Sequence, residues 1–145
     1  MTASFLFQIA NSVALVGWLI LAAGIVTNRP FLRDTLAGWL WPLGLSMLYA
    51  ALIVSFFFKA EGGFDSLANV QRLFAFEWAA LAGWIHYLAF DLFMGAYISR
   101  NLMTAGHSRW WLIGLLPLTF MFGPIGFVAY EFIQLVTRPS VALTR

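Results

Sequence analysis

The chain has 145 residues, of which 62% are hydrophobic and 10% charged, with a formal net charge of +2. Soluble domains carry roughly 25% charged residues, so a water-soluble globular fold is excluded; this length suits about four bilayer spans with short connections and no separate soluble domain. A few arginines at the ends of apolar stretches are not the clustered basic face that nucleic acid requires, and the absence of cysteine removes disulfides, thiol nucleophiles and cysteine-bound metals.

The first apolar stretch, from about Ser4 to Thr27, has no basic segment before it and reads as a retained span rather than a signal peptide. It stops at Asn28-Arg29-Pro30, where proline and arginine mark an interface. Gln8 and Asn11 lie three apart and share a face. Their ordinary role is hydrogen bonding between helices, worth about 0.6 kcal/mol in membranes. Asn11 is also a candidate ligand contact. A second span is expected over Leu36–Phe58, with Trp39, Trp41 and Lys59 as interface anchors and Pro42 in the first turns. Ser46 and Tyr49 point to one side of it.

The connection Ala60–Phe76 contains a Gly62-Gly63 break, Asp65 as a candidate cap, and Leu67, Val70, Leu73 and Phe74 at helical spacing. Residues Ser66–Phe74 are therefore expected to form an amphipathic helix at the interface, with Asn69, Gln71 and Arg72 toward water. Span three covers Glu77–Ser99. Span four covers Trp110–Val136 and leaves at Arg138-Pro139. The run Phe122–Gly126, which contains Gly123 and Pro124, should kink that span and leave space beside the bend. Glu131 and Gln134 are placed to reach headgroups. The fold class is all-α: a polytopic membrane protein in one domain, residues 1–145, with four spans and one short interfacial helix. Both ends then lie on the same side. Arg29, Arg33, Arg100 and Arg109 balance Lys59, Arg72, Arg138 and Arg145, so the positive-inside rule does not orient it.

The chemistry concentrates in span three. Glu77 stands at its entrance, and His86 and Asp91 near its middle, among Trp84, Tyr87, Phe90 and Phe93. An ionisable residue at mid-depth costs roughly 2.5–3.5 kcal/mol on insertion scales, so it usually faces protein or water and serves a function. At about 100° per residue, His86, Phe90, Phe93 and Tyr97 share a stripe whose continuation holds Ala79, Ala82 and Gly83. Asp91 lies roughly 140° away, on the stripe of Trp84, Leu88 and Gly95. Tyr87 and Asp91 are four apart and within hydrogen-bond reach. Both His86 and Asp91 are expected to face the bundle interior, beside one cavity bounded by Pro124.

Three readings compete for these residues. They are polar staples tying span three to Asn11, Tyr49 or each other; or a metal site; or an acid–base pair acting on an apolar substrate. Only one histidine lies in the membrane, His107 falls in a loop, and Glu77, Asp91 and Glu131 are spread over too much depth, so a metal centre is not expected. A carboxyl group and an imidazole can both exchange protons with a substrate.

Trp84-Ile85-His86 followed by Asp91-Leu92-Phe93 resembles the neoxanthin-synthase-like, or abscisic-acid-deficient-four-like, family of plant and bacterial membrane proteins. Gly62-Gly63-Phe64, Ser66-Leu67, Leu73-Phe74, Glu77, His107-Ser108 and Gly123-Pro124-Ile125-Gly126 extend the resemblance. It covers roughly residues 62–130, while spans one and two match mainly in hydropathy.

The resemblance implies a four-helix membrane protein of carotenoid metabolism, tied in plants to converting violaxanthin to neoxanthin. It carries Glu77, Trp84, His86, Asp91, Phe93, His107 and Pro124 over as family residues. No plastid transit segment is evident, so a bacterial member in the inner membrane is expected. Opening an epoxide to an allenic alcohol is redox-neutral: a proton goes to oxygen and one leaves the neighbouring carbon. That needs an acid and a base and no cofactor. The expected assignment is a carotenoid isomerase-type enzyme with His86, Asp91 and Glu77 as catalytic groups. Trp84, Tyr87, Phe90, Phe93, Asn11, Tyr49 and Pro124 would contact the substrate. The alternatives are a non-catalytic carotenoid- or retinoid-binding protein and a carotenoid cleavage oxygenase, the last disfavoured by the histidine count. Expected partners are a carotenoid or related apolar ligand and membrane lipids; homo-oligomerisation is left open.

Overall fold

The computed structural model describes residues 2–137. Helix α1 spans Ala3–Val26, and a π-helical segment, Phe31–Leu40, runs directly into α2, Trp41–Phe56. A 3-10 turn covers Phe57–Lys59, followed by α3 (Leu67–Ala75), α4 (Glu77–Thr104) and α5 (Trp111–Thr137). Helix α1, the continuous Phe31–Lys59 unit, α4 and α5 are the four helices long and apolar enough to cross a membrane. The chain is thus an all-α, four-span protein with a short amphipathic helix before the third span. The expected exit at Arg138-Pro139 lies outside the described residues.

Helix α4 is the axis. Its most apolar stretch is 56% buried, against 33%, 17% and 28% for the other spans, because α1, the Phe31–Lys59 unit, α3 and α5 all pack on it. Apolar surface gains little by leaving lipid, so close fit between backbones has to hold such a bundle. Helix α1 provides it through Ala10, Ala14, Gly17, Leu21 and Gly24, a buried face repeating every three or four residues. Gly24 admits the backbone of Arg33, and Gly17 admits the rings of Trp41.

The second span departs from the sequence expectation. It begins at Phe31 rather than near Leu36, and its first 10 residues are π-helical. Trp39 and Trp41 therefore lie inside the span instead of at its mouth. Trp41 Nε1 donates to the Val13 carbonyl in the middle of α1 at 2.7 Å. Pro42 stands where the π register ends and α2 begins. Arg33 is buried and folds onto Asp34, with Nε–Oδ1 and Nη2–Oδ2 both at 2.8 Å, while Nη1 meets Met103 Sδ at 3.0 Å. One of the arginines counted for orientation is thus already paired.

Both turns at that end close by the same device. Asn28 is left-handed (φ 52°), Arg29 N–H bonds Gly24 O at 2.9 Å, and Asn28 N–H bonds Ile25 O at 3.3 Å. Gly106 (φ 76°) repeats this with His107 N–H on Leu102 O at 3.0 Å and its own N–H on Met103 O at 3.2 Å. The pattern satisfies carbonyls that a helix end leaves open.

At the other end, Ser66 rather than Asp65 caps α3, its Oγ accepting from Asn69 N–H at 3.2 Å. Asp65 instead accepts both hydrogen bonds of the Asn69 amide, at 2.9 and 3.0 Å. Leu73 is buried and Phe74 packs its ring over Gly83 of α4. Leu67 is exposed, on the side of α3 left free to meet lipid.

Two outcomes are expected. Reporter fusions at the N- and C-termini should report the same side of the membrane. Asp65 should titrate below the ordinary carboxylate value because Asn69 donates to its charged form. The help it gives the folded state is then present above the unfolded value of 3.8 and lost only as pH falls through the lower folded one. Replacing Asn69 by alanine should raise the Asp65 midpoint in an NMR titration of its carboxyl carbon.

Candidate functional site

The site begins with a break in α5. Pro124 has no N–H to give the Phe120 carbonyl four residues earlier, and Phe122 leaves helical geometry at φ −146° and ψ 45°. In hydrocarbon a freed carbonyl must find a protein donor. Tyr87 of α4 is that donor: its hydroxyl gives its proton to Met121 O at 2.7 Å and lies 3.4 Å from Phe120 O.

One turn further along α4, Asp91 sits in the hollow of the bend. Its carboxyl group lies against Gly123 so closely that a methyl group there would overlap it. Asp91 is 7% exposed. Its Oδ2 has no hydrogen-bond partner and is the only such buried side-chain polar atom among the described residues. Leaving one buried acceptor unmet costs about 1–3 kcal/mol, so the fold holds an unused acceptor here against a gradient.

Beside the bend, a gap between α1 and α5 is floored by α4. A space of about 390 Å³ is walled by Asn11, Leu15, Trp84, Tyr87, Phe120 and Met121, together with Ala14 and Leu88. It adjoins a second, about 360 Å³, that shares Trp84 and runs past Phe7 to Ser4 and Glu77. Trp84 is held in place by Nε1 donating to Asn11 Oδ1 at 2.9 Å and by stacking on Tyr87, ring centres 5.3 Å apart. Asn11 donates in turn to Phe7 O at 2.9 Å, so the amide is used at both ends. At the far end Trp18 meets Phe120 edge-on at 5.4 Å. Beyond this contact, α1 and α5 border a further, open-sided space of about 650 Å³ between Val26 and Arg109.

The residues singled out from sequence do not converge. Asn11, Trp84 and Tyr87 line one wall, with Asp91 behind it. Glu77 is exposed at the mouth, and Pro124 acts through the bend rather than by facing the groove. His86 does not face the interior. It is exposed on the opposite side of α4, with its ring stacked on Phe90 at 4.6 Å and tilted against Tyr49 at 5.4 Å. The reason is angular: with Asp91 seated against α5, a residue roughly 140° around the helix must point toward α2. Phe90 and Phe93 line a smaller hollow of about 230 Å³ on that side, with Trp39 and Ser46. Sequence reading missed Trp18, Phe120 and Met121. The last two were accessible, since Pro124 names the carbonyls that lose their donor. Trp18 lies on the groove face of α1, in step with Asn11 and Ala14.

Chemically, the groove can seat a rod-like apolar molecule and present a tyrosine hydroxyl and an indole to it, with one carboxyl group close behind. Among the described residues no three His, Cys, Asp or Glu side chains gather closely enough to hold a metal ion.

The contact between Gly123 and Asp91 is open to test. Gly123→Ala should destabilise the fold by about 1–3 kcal/mol through overpacking, read by thermal unfolding in detergent. Asp91→Ala in the same chain should recover most of that loss.

No curated protein and no solved structure matches the chain. A family model described as ABA DEFICIENT 4-like matches residues 5–130, reaching through the first two spans, where the motifs alone gave little. The four apolar helices and this match together agree with a carotenoid-related membrane protein. The chain belongs to the ABA4-like family.

Proposed function

We propose that the protein holds an apolar polyene of the carotenoid class in the groove between α1 and α5, against Trp84 and Tyr87 of α4. The observation that carries this reading is the groove itself: apolar, walled by α1 and α4 along its length and by α5 at one end, with the rings of Phe7, Trp84, Tyr87 and Phe120 on its walls. From Ser4 to Leu15 it follows α1 for about 17 Å at 1.5 Å per residue. A carotenoid is about as long as a bilayer is thick, so one end-ring and the neighbouring polyene would lie on protein and the rest in lipid. A retinoid, shorter by half, would be covered along its length. The adjoining volumes of about 390 and 360 Å³ suit either.

A catalytic version, redox-neutral isomerisation of the bound end-ring, is favoured by Asp91. Its unpartnered Oδ2 lies one turn from Tyr87, which lines the groove. In that version the Asp91 carboxyl group gives its proton to the ring oxygen and takes up the proton that leaves the neighbouring carbon, and Tyr87 positions the ring. His86, on the far face of α4, is left out, and Glu77 stands too near the mouth to reach the same atoms.

Extraction of pigment from purified protein, followed by chromatography and mass measurement, decides between them. Trp84→Ala should lose most of the pigment in both versions, and full retention would remove the groove as the site. If the protein isomerises, the product has the substrate's mass and a different retention. Asp91→Asn should then keep the pigment while turnover falls by about 10²–10⁴, and His86→Gln should leave turnover intact. Unchanged pigment throughout would leave binding as the function.

A further inference from the structure

We infer that the open-sided space between the end of α1 and the start of α5 is a site for one anionic phospholipid, its phosphate on Arg109 and one acyl chain between the two helices. The space is about 650 Å³, larger than those around Trp84, and Trp18 against Phe120 separates it from them. Its walls below the rim are aliphatic: Ala22 and Ile25 from α1, Ile113 and Leu116 from α5. At the rim stands Arg109, exposed, with Nη1 donating to the Val26 carbonyl at 3.2 Å. That bond fixes the guanidinium over the opening and leaves its remaining N–H groups without a protein acceptor among the described residues. A guanidinium fork matches phosphate oxygens in pairs. Trp110, 74% exposed, sits beside it, as indoles do at headgroup depth.

Charge selects the headgroup. This end of the bundle carries Arg29, Arg33, Arg100 and Arg109, and its one acidic side chain, Asp34, is taken by Arg33. The positive end of α5 adds to the same field. The opposite end carries Glu61, Asp65, Glu77 and Glu131 beside Lys59 and Arg72. A free phosphate would use the arginine and leave the aliphatic walls empty; a phospholipid uses both. The site is independent of what the Trp84 groove binds.

The test is native mass spectrometry of the purified protein equilibrated with equal amounts of phosphatidylglycerol and phosphatidylcholine. One phosphatidylglycerol should be retained in preference by roughly fivefold, the effect of about one interfacial arginine. Arg109→Gln should abolish the preference, whereas Arg100→Gln, at the same end but outside the space, should keep it. Ala22→Trp, which fills the space, should lower retention of phosphatidylglycerol while leaving the fold intact by circular dichroism. Inorganic phosphate at millimolar concentration should not displace the lipid. Equal retention of the two lipids by the wild type overturns the proposal, as does a preference that survives Arg109→Gln. Equal loss in the Arg100 variant would mean diffuse surface charge and overturns it too.

Discussion

A helix that bends inside hydrocarbon frees carbonyls where water does not come to meet them, and the Tyr87 hydroxyl on Met121 O answers that problem for α5. Much of the candidate site hangs from this bond. It fixes the Tyr87 ring, on which Trp84 stacks, and Trp84 is fixed again by Asn11. The same bend brings Gly123 to α4 and gives Asp91 a place to sit. A proline and a tyrosine on different spans thus set where the groove runs and where the carboxyl group stands behind it.

Packing repeats one device at four places, a glycine on one helix opposite a larger side chain on its neighbour. Gly17 takes Trp41, Gly83 takes Phe74, Gly95 takes Trp18, and Gly123 takes Asp91. Each pair lets two helices approach closely where the hydrophobic effect gives them little reason to. Three of the large partners are aromatic, which supplies many weak contacts at once. The fourth is a carboxylic acid, for which no packing advantage exists over an aliphatic side chain of similar size. That contrast sets Asp91 apart from the rest of the bundle.

The spans themselves were legible because twenty or so apolar residues between interface markers have few other uses. The breaks at Asn28-Arg29-Pro30, the kink near Phe122 and the amphipathic stretch before Glu77 were legible for the same reason: proline, glycine and spacing act locally. The start of the second span was not. Phe31–Leu40 contains Arg33 and Asp34, which read as a loop until Asp34 neutralises Arg33 within the protein. The side on which His86 faces was also hidden. A helical wheel gives the angle between His86 and Asp91 but not which of them meets a neighbour, and Gly123 on another span makes that choice. Arg109 reads in sequence as one more interface arginine; only the Val26 carbonyl opposite shows that it is held over an opening.

The groove beside Trp84 lies among helices apolar enough to cross a membrane, and this changes what its affinity measures. A polyene entering it leaves one apolar solvent for another, so the hydrophobic effect contributes almost nothing to binding. Discrimination must come from the fit of rings to the wall and from a few polar atoms at fixed depth. Occupancy by a polyene held as proposed would follow the mole fraction of ligand in the bilayer, not its concentration in water, and exchange would proceed by diffusion in two dimensions. A cell would fill or empty this protein by changing the composition of the membrane around it.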